Sequence, residues 1–206
     1  MKDERIEELR GMGVECRYVL RIPHEYKAEL AERINGNENP DVTYELREMI
    51  PAARQIMLRN DPRTVVSWEA YQKDMVRAAE CIAKDQEFES DERVCVIGTE
   101  EFMYMMFCLG GYMLSEKLVK EVRIHSTTRS PIVPSSQEGY PLHDRYRLES
   151  FYAEDRVAYI YDLARYDRVI IVTDGSCRGK GIQSLISAVR KAGNDAVSVY
   201  GCVYEK

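Results

Sequence analysis

The sequence contains no apolar run near the ~20 residues that a membrane-spanning helix needs. It has three histidines and six cysteines, none of them in a CxxC pair, and no Cys/His spacing that suits structural zinc. Cys16, Cys81, Cys95, Cys108, Cys177 and Cys202 are therefore expected to be reduced thiols, which fits a cytoplasmic protein. Positive charge is in deficit. A net charge of -6, from 29 basic and 35 acidic residues, argues against broad nucleic-acid binding, which needs a basic face. The start, MKDERIEELR, is charged and helical and lacks the apolar centre of a secretory signal. No internal repeat or low-complexity tract stands out.

What is present describes a globular chain. Apolar residues make up 45% and charged residues 31% of 206 positions, enough for one domain with an N-terminal appendage. Chains of this size remove roughly 70% of their unfolded surface from water. Residues 1–90 have mainly helical patterning. A short helix is expected over 3–11, a strand over 17–22, a helix over 24–34 and another over 42–59, kinked near Pro51. Ser67 is placed to cap a helix running to about Lys84, with Trp68, Tyr71, Met75, Ala78, Ala79 and Ile82 in one stripe.

An acidic stretch, 85–92, separates this region from one in which strands alternate with helices (91–206). Strands are expected at 93–97, 119–125, 156–161, 168–173 and 196–203, with helices at 102–118 and 182–192. Such alternation implies a mainly parallel α/β sheet, with ligands at the carboxyl ends of its strands. Three post-strand loops should meet there. Gly98-Thr99-Glu100-Glu101 offers a tight turn and two acids, which suit either a helix start or a catalytic or hydroxyl-binding role. Ser126-Thr127-Thr128-Arg129-Ser130 surrounds one guanidinium with hydroxyls, a donor set for phosphate or carboxylate. The long segment 126–150 that it opens could close over a ligand through Tyr140, His143, Asp144, Arg145 and Tyr146.

The third loop follows the apolar run Val169–Val172. Asp174-Gly175-Ser176-Cys177-Arg178-Gly179-Lys180-Gly181 joins a buried strand to a helix, an arrangement that cradles anions with backbone N–H groups. Three residues separate Gly175 from Gly179 and Gly181 follows Lys180, so neither a Walker loop nor a dinucleotide fingerprint is present. Arg178 and the helix start would activate Cys177 as a nucleophile, but no histidine partner can be placed for it.

The order of strands, long hood and Gly-rich loop resembles the type I phosphoribosyltransferase fold. That resemblance implies ribose hydroxyls held by Asp174, a 5-phosphate on Ser176–Gly179, and Mg²⁺ wherever a pyrophosphate meets Glu100 and Glu101. A closer resemblance is to the TRSP domain, found beside phosphoribosyltransferase domains in bacterial gene clusters linked to tellurite and stress resistance. Thr128-Arg129-Ser130-Pro131 matches its signature. Gly98-Thr99-Glu100-Glu101-Phe102-Met103-Tyr104 matches its Gly-Thr-Gly-Glu-Phe-Met-Tyr element, with Glu100 at the second glycine. It implies a phosphoribosyltransferase-related enzyme or subunit that binds a ribose-5-phosphate or nucleotide-like ligand. Glu100, Glu101 and Asp174 would be its catalytic carboxylates. A non-catalytic partner of a co-encoded transferase and a nucleosidase-like hydrolase are the alternatives, and homodimer formation is left open.

Overall fold

A computed structural model describes residues 3–15, 17, 41–46 and 51–205. The strand and helix expected within 17–34 lie outside this set. Two compact units divide between Asn35 and Gly36. In the first, α1 (Asp3–Gly11) is a short helix with exposed Arg5–Glu8 and Arg10–Glu7 pairs three residues apart.

The second unit contains, in chain order, β1 (Arg54–Leu58), α2 (Trp68–Lys84), β2 (Arg93–Gly98), α3 (Tyr104–Ser115) and β3 (Glu121–Ser126). There follow β4 (Arg145–Glu149), β5 (Val157–Tyr161), β6 (Arg168–Thr173), α4 (Lys180–Lys191) and β7 (Val197–Tyr204). Five strands form one sheet in the order β1-β7-β6-β2-β3, every neighbouring pair parallel. The α/β expectation with a mainly parallel sheet holds.

Period-2 alternation sorts the central strands between two cores. Val94, Val96, Ile170 and Val172 face α2 and α3, while Cys95, Ile97, Val169 and Ile171 face α4 and the β4–β5 pair. Both faces are covered, which is why these strands are nearly all apolar.

Two expectations are corrected. Residues 54–58 are an edge strand rather than part of a helix, paired residue by residue with Tyr200–Tyr204. Burying Leu58 against the sheet outweighs the helical pattern of the flanking residues. The strand expected at 156–161 begins at Val157 and lies outside the main sheet, pairing antiparallel with β4. The segment 126–150 is thus partly structured. Tyr146 is buried in the core on the α4 side and Arg145 bonds Asp41 at 2.6 Å, so these two anchor a hairpin rather than a lid.

Ser67 caps α2 as expected, accepting from the Ala70 amide at 3.2 Å. One buried polar contact ties α2 to the end of β1. The Asp74 carboxylate accepts from the Asn60 amide at 3.0 Å and the Arg59 amide, and pairs with Arg77 at 2.8 Å. Burial works to raise its pKa, but Arg77 and the two amides outweigh it and hold the group below the ordinary carboxylate value. A depressed folded pKa gives stability that is present above the unfolded value and lost as pH falls through the folded one. Asp74→Ala should lower unfolding free energy by about 2–3 kcal/mol at neutral pH. The deficit should begin to shrink as pH falls below about 4, the unfolded value, and vanish only below the lower folded value, where the wild-type carboxylate is itself protonated, as urea titrations across pH would measure.

Candidate functional site

The chain leaves β2 toward β3 with α3 on one face, and leaves β6 toward β7 with α4 on the other. The adjacent ends of β2 and β6 therefore form a topological switch point, the place where open parallel sheets hold ligands. Thr99 and Thr173 meet there, both buried, with Thr99 Oγ1 donating to Thr173 Oγ1 at 2.7 Å. Gly98 is required by close packing, since a Cβ would lie 2.6 Å from the Phe102 carbonyl oxygen.

Asp174 is the centre of the polar network. Its Oδ2 accepts from Arg63 Nη2 at 2.8 Å and from the Tyr204 hydroxyl at 3.1 Å; the Tyr152 hydroxyl lies 2.5 Å from Oδ1. Tyr152 also reaches the Thr99 carbonyl at 3.1 Å. Arg63 lies over the Tyr204 ring, 5.0 Å from its centroid. Burial, and then the neighbouring Asp174 carboxylate, push both phenols well above their ordinary pKa, so they remain protonated donors. The Asp174 side chain is only 9% exposed.

The remaining sequence-named residues divide by role. Glu100 is buried, with φ of 47°. Its Oε1 accepts from Ser150 Oγ at 2.7 Å and the Phe151 amide at 3.2 Å, while its own amide donates to Thr127 Oγ1 at 2.9 Å. Glu100 thereby fastens the 150–152 turn to the sheet edge. Arg129 donates to Glu101 at 2.7 Å, with Glu100 Oε2 at 3.8 Å. Ser126 ends β3 opposite Gly98. Thr128 exchanges backbone bonds with Tyr159, and its Oγ1 accepts from the Ser130 amide. The Thr127 hydroxyl thus serves the backbone of the loop after β2, and the Thr128 hydroxyl that of its own loop. A cleft of about 380 Å³ lies between these loops, walled by Arg63, Tyr71, Glu101, Arg129, Arg156 and Asp174.

The Gly-rich turn has a different character. Ser176 Oγ donates to the Arg178 carbonyl at 2.7 Å and accepts from its amide at 3.2 Å, closing the turn. Gly179 takes φ of 97°, a left-handed conformation natural to glycine. A Cβ on Gly181 would lie 2.7 Å from the Ser150 carbonyl oxygen. The amides of Cys177, Gly179, Lys180 and Gly181 have no hydrogen-bond partner among the described residues, and neither Arg178 nor Lys180 has an ion-pair partner there. A cleft of about 570 Å³ borders the turn, lined also by Gly175, Gln55 and Gly201. Cys177 is half-buried, and burial pushes its thiol pKa up, the opposite of an activated nucleophile. No group of three or more His, Cys, Asp or Glu side chains that could hold a metal exists among the described residues. A Mg²⁺ ion here would depend on ligand phosphate oxygens for its coordination.

Arg63, Tyr152 and Tyr204 meet at Asp174 in this candidate site, and motif reading passes over all three. Arg63 follows β1, so recognising that strand would have placed it at the same edge. Tyr204 ends β7 beside it.

Fold and site together define an α/β domain with a parallel central sheet and a Gly-rich turn at its switch point. The chain belongs to the TRSP family: the model described as "TRSP domain C terminus to PRTase_2" matches residues 66–189, more than half of its length. No curated protein and no solved structure matches the chain. The matched stretch includes all three edge loops and begins at the cap of α2, upstream of the acidic stretch.

The backbone at Glu100 gives a direct check on its role. Glu100→Ala loses the carboxylate bonds and keeps the left-handed strain, whereas Glu100→Gly loses the bonds and relieves it. Glycine should be the more stable of the two by about 1 kcal/mol in urea unfolding. Equal stability would contradict a structural tie under strain.

Proposed function

We propose that this domain binds a phosphorylated ribose or nucleotide-like ligand as a subunit of a phosphoribosyltransferase-related system, and that its own site serves binding more than turnover. The observation that carries this reading is that the amides of Cys177, Gly179, Lys180 and Gly181, beside Arg178 and Lys180, have no partner among the described residues. A dianionic phosphate matches such a turn, because N–H groups, helix start and guanidinium all favour negative charge. The family's description as lying C-terminal to a phosphoribosyltransferase-type domain supports the choice of ribose phosphate over other phosphates.

The carboxylates favour binding. Asp174 already accepts from Arg63, Tyr152 and Tyr204, and Glu100 is tied to Ser150 and Phe151. A ribose hydroxyl at Asp174 would have to replace one of these donors, and Arg63 is the most exposed of them. Transfer or nucleoside hydrolysis is the second reading. It is favoured by the exposed Glu101, which faces the same cleft as Asp174.

Titration calorimetry with ribose 5-phosphate, phosphoribosyl pyrophosphate and nucleoside monophosphates, each with and without Mg²⁺, tests the proposal. At least one should bind, and Arg178→Ala should weaken it about tenfold, the loss of one charge-assisted contact. Absence of heat with all of them, or affinity untouched by Arg178→Ala, would remove the phosphate seat. Release of pyrophosphate or free base in the same samples would establish turnover instead.

A further inference from the structure

Helix α3 carries no charged residue from Tyr104 to Ser115 and is apolar on every side. Such a helix is ordinarily buried all round. Its inner face is: Met105, Leu109 and Met113 are inaccessible to solvent. Its outer face is open, with Phe107 54% and Leu114 50% exposed, and Trp68 of α2 stands beside it, 5.2 Å from the Tyr104 ring.

Two glycines sit in this helix for different reasons. A Cβ on Gly110 would press on Ile124 and Val122 at 3.2 Å, so the protomer's own packing explains it. A Cβ on Gly111 would meet nothing within 4 Å. An exposed glycine in mid-helix weakens the helix relative to alanine, and nothing among the described residues requires this one. Gly111 lies at the middle of the open face, one turn after Phe107.

We propose that the outer face of α3 is where a second copy of this chain docks, two helices crossing antiparallel about a two-fold axis at the level of Leu109. That axis brings Phe107 over the partner's Gly111 and, by the same symmetry, the partner's Phe107 over Gly111, each ring entering the hollow a missing side chain leaves. The charges at the ends complement one another. Glu101 precedes the helix and Lys117 follows it, so antiparallel pairing sets Glu101 near the partner's Lys117 at both ends, with the helix dipoles opposed. Lys117 has no ion-pair partner among the described residues. In a chain of net charge -6, this uncharged face also lets copies meet without juxtaposing like charges. With α2 alongside, the face spans roughly 25 Å by 20 Å, of the order of one side of a standard interface.

Sedimentation velocity of the full chain from about 1 to 100 μM tests this. A dimer should form within that range, and Phe107→Asp should give a monomer with unchanged circular dichroism. Gly111→Ala separates docking from folding: it should raise the thermal midpoint of the monomer while weakening dimerisation at least tenfold. A monomer at every concentration overturns the proposal. So does a dimer that survives Phe107→Asp, which would place the contact elsewhere, or a dimer that Gly111→Ala leaves intact.

Discussion

The Asp174 carboxylate is the constraint on which the edge of this sheet depends. One side chain, nearly inaccessible to water, takes donors from the loop after β1, the turn before β5 and the end of β7. A carboxylate in such a place is tolerable only because its oxygens are supplied with strong donors, one of them a guanidinium. Removing any one leaves charge desolvated and incompletely paired, so the loops are held by a shared need. Glu100 repeats the device on a smaller scale. It accepts a left-handed backbone to tie the 150–152 turn to the end of β2.

This economy of acids shapes what the site can do. Carboxylates that hold loops together are poorly free to act as bases or to grip sugar hydroxyls, and Arg129 is likewise engaged by Glu101. The Gly-rich turn is the contrast. Its internal bonds run through Ser176, its close approaches require Gly181, and the amides of Cys177, Gly179, Lys180 and Gly181 remain unpartnered among the described residues. One half of the switch point is thus closed on itself and the other is open. A module that positions a phosphorylated ligand beside a catalytic partner fits that division.

Much of this was legible in the sequence because local physics and tertiary structure agree. Val169–Val172 is apolar at every position, so it could only be a strand covered on both faces, and the glycines after it announced the turn. Ser67 announced the cap of α2. The failures share a cause. Arg54–Leu58 is an edge strand whose identity rests on pairing with β7, almost 150 residues away, and a local window cannot see that. Val157–Tyr161 looked like a sheet strand, but its partner, Arg145–Glu149, was hidden in a stretch rich in Ser, Pro and Tyr. For the candidate site, residue types named three loops that the fold brings to one sheet edge. They could not reveal that the hydroxyls of Thr127 and Thr128 satisfy nearby backbone, or that Arg63 reaches Asp174 from a loop 111 residues earlier.

The central claim is that the turn between Asp174 and α4 is a phosphate seat while the surrounding acids serve structure. Amide chemical-shift mapping tests it most directly, with ¹⁵N-labelled protein titrated with ribose 5-phosphate. The account predicts the largest shifts at the amides of Cys177, Gly179, Lys180 and Gly181, with those of Glu100 and Thr127 nearly still. Silence in that turn, or dominant shifts in the Glu100–Arg129 loops, would contradict it.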